Sequence, residues 1–199
     1  MRYTAFMPLS TPPHSAIAHA VPATHPGAAG SRFGAIVAAP FGAIGIRTDG
    51  GQVHELVYLP PSFGAFDAVD GTAELAAAQV RRYLIDPDFA FDLPLAAVGS
   101  AFQQRVWAAI NAIPRGEVRT YGQVAASIGS APRAVGQACG ANWFPLVIPC
   151  HRVTAAGGLG GFSNHDDEHG FHLGVKRWLL RHEGVTLAGA PWQQQAMWA

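Results

Sequence analysis

A chain of 199 residues with 49% apolar content suits one large or two small domains with an ordinary core. No apolar run reaches the ~18 residues that a membrane span requires, and prolines and polar residues interrupt the stretch MRYTAFMPLSTPPHSAIAHA where a secretion signal would be continuously apolar; both point to a cytoplasmic protein with no membrane partner. Basic and acidic residues balance at 13 each, which excludes a global field toward nucleic acid, and with only two cysteines, Cys139 and Cys150, a thiolate-rich zinc site is excluded and two free thiols are expected.

In chain order, residues 1–31 are rich in Pro, Ala, His and Gly without a period, the composition of a disordered or loosely attached arm. Extended runs follow at 33–39, 42–48 and 52–58, with Thr48-Asp49-Gly50-Gly51 as a hairpin turn. Pro60 and Pro61 end that unit. A helix is predicted from Thr72, its N-cap, to Ile85, with Leu75, Ala78, Val80 and Leu84 as its apolar stripe and Asp86-Pro87 as the stop. FDLPLAAVGS reads as an extended connection to a helix capped by Ser100, whose stripe is Phe102, Val106, Ile110 and Ile113. Two short helices, Tyr121 to Ile128 and Arg133 to Gly140, joined by Gly129-Ser-Ala-Pro, have the form of a helix-turn-helix. The expected fold is therefore α+β. A small antiparallel sheet with a helix occupies 32–98, a mostly helical domain 99–186, and a tail 187–199.

Charge is distributed unevenly between these parts. Five basic residues stand against eight acidic ones up to Ser100, and eight against five from Ala101 onward, so a polyanion site belongs to the second half. A helix-turn-helix there suggests DNA, although a helical hairpin without a ligand is the commoner form of such a pattern.

The chemistry concentrates in Ile148-Pro149-Cys150-His151-Arg152-Val153. A nucleophilic cysteine works as thiolate, and an adjacent histidine or cation lowers its pKa toward neutrality. Cys150 has both beside it and is expected to be ionised and reachable. An isolated Cys-His pair is more often a buried cysteine next to a surface histidine.

The surrounding strings change that balance. FQQRVWAAINAIPRGEVRTYGQVA, RAVGQACGAN, PLVIPCHRV, GGFS and KRWLLRHEG, in that order over Phe102 to Gly184, resemble the C-terminal domain of the O6-alkylguanine-DNA alkyltransferases, or methylated-DNA-protein-cysteine S-methyltransferases. The region before Phe102 is similar only in layout. The resemblance implies direct, irreversible transfer of an alkyl group from O6 of guanine in double-stranded DNA to Cys150, once per molecule and with no cofactor or metal, by a monomer. Transfer from O4 of thymine is a further possibility within the family.

It also implies roles. His151 would remove the Cys150 proton through a water, Glu183 would orient His151, and Asn142 would be the hinge that closes the active-site turn. Read without the family, Glu183 terminates a helix and Asn142 is a helix stop. Because a duplex hides O6, the nucleotide must be flipped out. Arg133 would fill its place and Tyr121 would crowd the phosphate, with Ala134 and Gly136 against the minor groove. As a lone arginine, Arg133 reads equally as a phosphate clamp or an exposed helix residue. The flipped base would meet Tyr121, Val153 and Ser163, walled by Pro145 and by Phe162, which stands where many relatives have tyrosine.

Two departures stand out. Trp143 follows the hinge asparagine where relatives usually have proline, and SNHDDEHGFHLGV replaces a shorter glycine-rich link. The insert carries His165, Asp166, Asp167, Glu168, His169 and His172, donors for a divalent metal in principle, but most such runs are solvated turns and no metal is expected. Cys139 reads as a buried small hydrophobe, with a redox or acceptor role as the minor alternative. Two competing functions remain: a sensor that flips alkylguanine without accepting the alkyl group, disfavoured by a cysteine at position 150, and a thiol hydrolase, which lacks a visible oxyanion site.

Overall fold

Turn chemistry sets up the first layer. Gly50 and Gly51 both have left-handed backbones (φ 54° and 76°), the pair of conformations a two-residue hairpin turn needs. They join β2 (Gly42–Asp49) to β3 (Gln52–Leu59), and β1 (Ala35–Ala39) pairs with the other edge of β2, giving an antiparallel sheet in the order β1-β2-β3. The computed structural model describes residues 33–185, so the expectations for the arm at 1–31 and the tail at 187–199 lie outside the described residues. All described residues belong to one compact unit.

Helix α1 (Gly71–Ile85) packs on the sheet and departs from its prediction in two ways. Its N-cap is Asp70, not Thr72: the carboxylate accepts from Ala73 N at 2.8 Å and from the Thr48 hydroxyl at 2.7 Å, so one side chain holds both the helix start and the hairpin. The buried face is Ala73, Ala76, Ala77, Val80 and Tyr83, while Leu75 is 44% exposed. Alanines weigh little in an apolar pattern, yet they form the face that lies against the sheet.

The second layer is helical. Helix α2 (Ala101–Asn111) opens with a reciprocal capping box between Ser100 and Gln103 and buries Val106, Trp107 and Ile110. The Trp107 indole donates to Ala138 O at 2.9 Å, tying α2 to the helix-turn-helix. That unit is α3 (Tyr121–Ser127), boxed by Thr120 and Gln123, and α4 (Pro132–Gly140). Pro132, not Arg133, is the first residue of α4, as suits a residue with no N–H to satisfy.

Strand β4 (Arg119–Thr120) then pairs in parallel with β5 (Val153–Thr154), which brings the start of α3 beside the segment that carries Cys150. Helix α5 (Phe171–His182) closes the layer. The two layers are joined by Leu56 N donating to Trp143 O at 2.9 Å and by an edge contact of Phe41 with Trp178 at 5.3 Å. Among the described residues no helix is long and apolar enough to cross a membrane.

Candidate active site

Cys150, His151 and Arg152 form a single 3-10 turn immediately before β5. Such a tight turn sends consecutive side chains apart, and here the second and third converge on one partner. His151 Nε2 lies 2.8 Å from Glu183 Oε1, and Arg152 donates from Nε to Oε2 at 2.8 Å and from Nη2 to Oε1 at 2.9 Å. Glu183, the C-cap of α5, is fully buried. Burial alone would raise its pKa, but the hydrogen bonds from His151 and Arg152 outweigh it and hold the carboxyl well below the usual range. The carboxylate is therefore an acceptor only, which places the hydrogen of a neutral His151 on Nε2 and leaves Nδ1 as the basic atom. Nδ1 is buried and makes no hydrogen bond to any described residue. Burial keeps the His151 pKa below its ordinary value despite Glu183.

The sulfur itself corrects one expectation. Cys150 exposes 5% of its surface, and the adjacent Cys139 thiol, followed by burial, pushes its pKa well above the ordinary value. Resting Cys150 is a neutral thiol rather than a standing thiolate, so its proton must leave in the course of reaction. Asn142 and the charge of Lys176 act in the opposite direction. Cys139 is accordingly more than a core filler: it is half-buried on α4 and next to the nucleophile.

Asn142 lies between α4 and this turn. Its Nδ2 donates to Ile148 O at 2.9 Å and to Cys150 Sγ at 3.2 Å, and its Oδ1 accepts from Phe144 N at 2.9 Å. One side chain thus closes the loop and touches the sulfur. Within that loop Leu146 has a left-handed backbone (φ 76°), a conformation costly for a branched residue. Pro145 is half-buried and pairs with Ile148.

The remaining predicted residues fall into two groups. Val153 directly follows the sulfur-bearing turn, Tyr121 lies near Cys150, and Phe162 and Ser163 follow on the loop between β5 and α5. The Tyr121 hydroxyl donates to Gly161 O at 3.0 Å, and its ring sits between Gly136 of α4 and Gly160, where a Cβ would come within 3.1 Å of the ring. Phe162 is buried against Tyr58 of β3, ring centroids 5.5 Å apart. Ser163 and Asn164, both left-handed, make the tight turn that pairs Phe162 with His165. Arg133 and Ala134, in contrast, stand at the start of α4; Ala134 is half-buried, and Arg133 is exposed and has no hydrogen bond or ion pair among the described residues. In the insert, His165 and His172 stack at 3.8 Å, and among the described residues no group of three or more His, Cys, Asp or Glu side chains is arranged to hold a metal.

A family model described as 6-O-methylguanine DNA methyltransferase, DNA binding domain, matches residues 101–185. The methylated-DNA–protein-cysteine methyltransferase of Methanosarcina acetivorans is 41% identical over 112 residues, 55% of this chain and 67% of that protein. The solved O6-methylguanine methyltransferase of Mycobacterium tuberculosis superposes with a TM-score of 0.60 at 31% identity, covering 77% of this chain and 93% of that one. The chain belongs to the O6-methylguanine-DNA methyltransferase family. A Salmonella typhimurium relative of the same name is 48% identical over 100 residues, 48% of this chain, and the chain spans about half of that protein, 53% of its length. A structure of the M. tuberculosis protein OGT in complex with DNA matches with a TM-score of 0.60 at 34% identity, covering 75% of this chain and 91% of that one.

Three residues of this family member escaped the sequence reading. Lys176 is fully buried and donates to three carbonyls, Leu159 at 2.7 Å, Val153 at 2.8 Å and Gly161 at 3.2 Å, fixing the loop between β5 and α5. Burial brings its pKa down to about 8. The signal was present: Lys176 stands three residues after Leu173 and three before Leu179, a charge on an apolar stripe. Tyr83 and Tyr58, from α1 and β3, reach the site across the layer boundary, and no local pattern marks them.

Proposed function

We propose that this chain repairs DNA by taking a methyl or other alkyl group from O6 of guanine in a duplex and keeping it on Cys150. The observation that carries the reading is the buried constellation of Asn142 on Cys150 Sγ and Glu183 on His151 Nε2, set beside a helix-turn-helix. His151 Nδ1 takes the thiol proton, directly or through an intervening water. The sulfur lone pair then forms the S–C bond, the C–O6 electrons pass to the purine, and the proton held by His151 is passed on through solvent to the purine anion, giving guanine. The products are a thioether and restored DNA. Nothing in this set of groups reverses a thioether, so each molecule acts once.

Access requires the base to leave the stack. Arg133, exposed at the start of α4, enters the duplex, with Ala134 and Gly136 close to the backbone and Tyr121 at the phosphate. Tyr121, Val153 and Ser163 read the flipped purine, while Pro145 and Phe162 wall the alkyl group. The helical layer carries the chemistry and the sheet layer braces it within one compact unit, and the protein works as a cytoplasmic monomer.

Mass spectrometry after incubation with duplex O6-methylguanine is the direct test. The expected result is one added methyl on the Cys150 peptide, at one per protein, and none in Cys150→Ser. An unchanged mass with duplex binding retained would replace this reading with lesion sensing, and turnover of an ester with the thiol regenerated would replace it with hydrolysis.

A further inference from the structure

The chemistry above is confined to the helical layer, yet Glu183 also answers to the sheet layer. Its Oε1 meets three groups: His151 Nε2, Arg152 Nη2, and the Tyr83 hydroxyl at 2.8 Å. Tyr83 is 2% exposed and faces an ionised carboxylate, so its hydroxyl is the donor. The rest of the residue is fixed on the same helix end. Its carbonyl accepts from His182 Nε2 at 2.7 Å, and its ring packs on His182 and on Phe91, each with centroids 5.4 Å apart. Hydroxyl, ring and carbonyl of one side chain and its backbone therefore all bear on Glu183 or its neighbour.

Resting on the reading in the previous section, we propose that Tyr83 is a positioning residue for alkyl transfer: by holding Glu183 Oε1 from the opposite layer, it limits how strongly that carboxylate binds the proton of His151. The carboxylate's charge is shared among its donors, and a donor withdrawn from Oε1 leaves more of it for the imidazolium. His151 must be neutral to receive the Cys150 proton. A stronger pull from Glu183 makes it hold a proton to higher pH and narrows the range in which the base is free. The other charged and titratable groups around the pair are Arg152 on the carboxylate, Arg115 on the Glu183 carbonyl at 3.1 Å, and Lys176, Cys150 and Tyr58 nearby. Of the described groups bonded to the carboxylate, Tyr83 is the one contributed by the sheet layer.

The test is the titration of His151 in the full chain, followed by nitrogen NMR on histidine-labelled protein, for wild type and Tyr83→Phe. This variant keeps the ring and removes the hydroxyl. The expected result is an upward shift of the His151 midpoint by about half a pH unit, with the acid limb of the alkyl-transfer rate moving up by the same amount. Loss of packing alone lowers the folded fraction and leaves the midpoint in place. An unchanged or lowered midpoint in folded Tyr83→Phe overturns the proposal. Should that variant not fold, 3-fluorotyrosine placed at position 83 strengthens the donor without changing its shape; the midpoint must then fall, and a midpoint that stays or rises overturns the proposal. The NMR midpoint does not require alkyl transfer. If the wild type transfers nothing, the functional reading fails while the Tyr83 result still stands or falls by itself.

Discussion

The helical layer and the sheet layer contribute to the site in opposite ways. Residues 101–185 carry every family-like string and all the groups assigned to chemistry, whereas residues 33–98 carry no motif and supply the hydroxyl of Tyr83 and the ring of Tyr58. A motif marks the atoms that react; the rigidity that holds them is drawn from wherever the fold brings a partner. Even the two buried ionic groups of the helical layer differ. Glu183 is shared among side chains from both layers, while Lys176 is satisfied by carbonyls of its own layer.

The largest expected break in that comparison is Glu183→Ala. It strands Arg152 and His151 without their carboxylate and frees Tyr83, and should cost about 3–5 kcal/mol in chemical denaturation, the usual loss when one partner of a buried ion pair is removed. An effect under about 1 kcal/mol would mean that the Glu183 cluster adds little to the other contacts between the layers. Lys176→Met comes next, at about 2–3 kcal/mol, because three carbonyls lose their donor. Its damage should stay within the loop between β5 and α5, seen as faster amide exchange there and unchanged exchange in the sheet.

Acid should separate the layers more gradually. His151 and Glu183 both have native pKa values below their ordinary ones, so the unfolded chain binds more protons than the native one once the pH drops below about 6.5 for the imidazole and about 4.3 for the carboxylate. The stability they contribute is full above those values and is lost as pH falls toward the native ones. Urea midpoints measured from pH 7.5 down to 4 should decline steadily, and a flat profile would contradict the assignment. The smallest effect belongs to Asp70→Ala. Removing this cap should cost about 1 kcal/mol of stability and leave the alkyl-transfer rate unchanged, since Asp70 serves the sheet layer alone.

What could be read in the sequence was what is encoded locally. Gly50-Gly51 and the Ser100 cap each act within a few residues, and the strands and helices they bound lie where the pattern put them to within a residue or two. The buried face of α1 was misread because its contacts are made by alanines, which a pattern of large apolar residues passes over. The protonation of Cys150 was misread for a different reason. The flanking His151 and Arg152 argue for a thiolate, but Arg152 turns away to Glu183 and a second thiol, Cys139, arrives from α4. Sequence neighbours suggested a charge that spatial neighbours remove.

One small contact links parts that the sequence keeps apart. Asn164, at the head of the acidic insert, donates to Gly140 O at 3.1 Å and lies so close that a Cβ at position 140 would fall 1.8 Å from its oxygen. The far end of the helix that carries Arg133 is therefore fastened to the loop beside Ser163. A side chain larger than hydrogen at 140 would drive Asn164 aside and part the end of that helix from the Ser163–Asn164 turn.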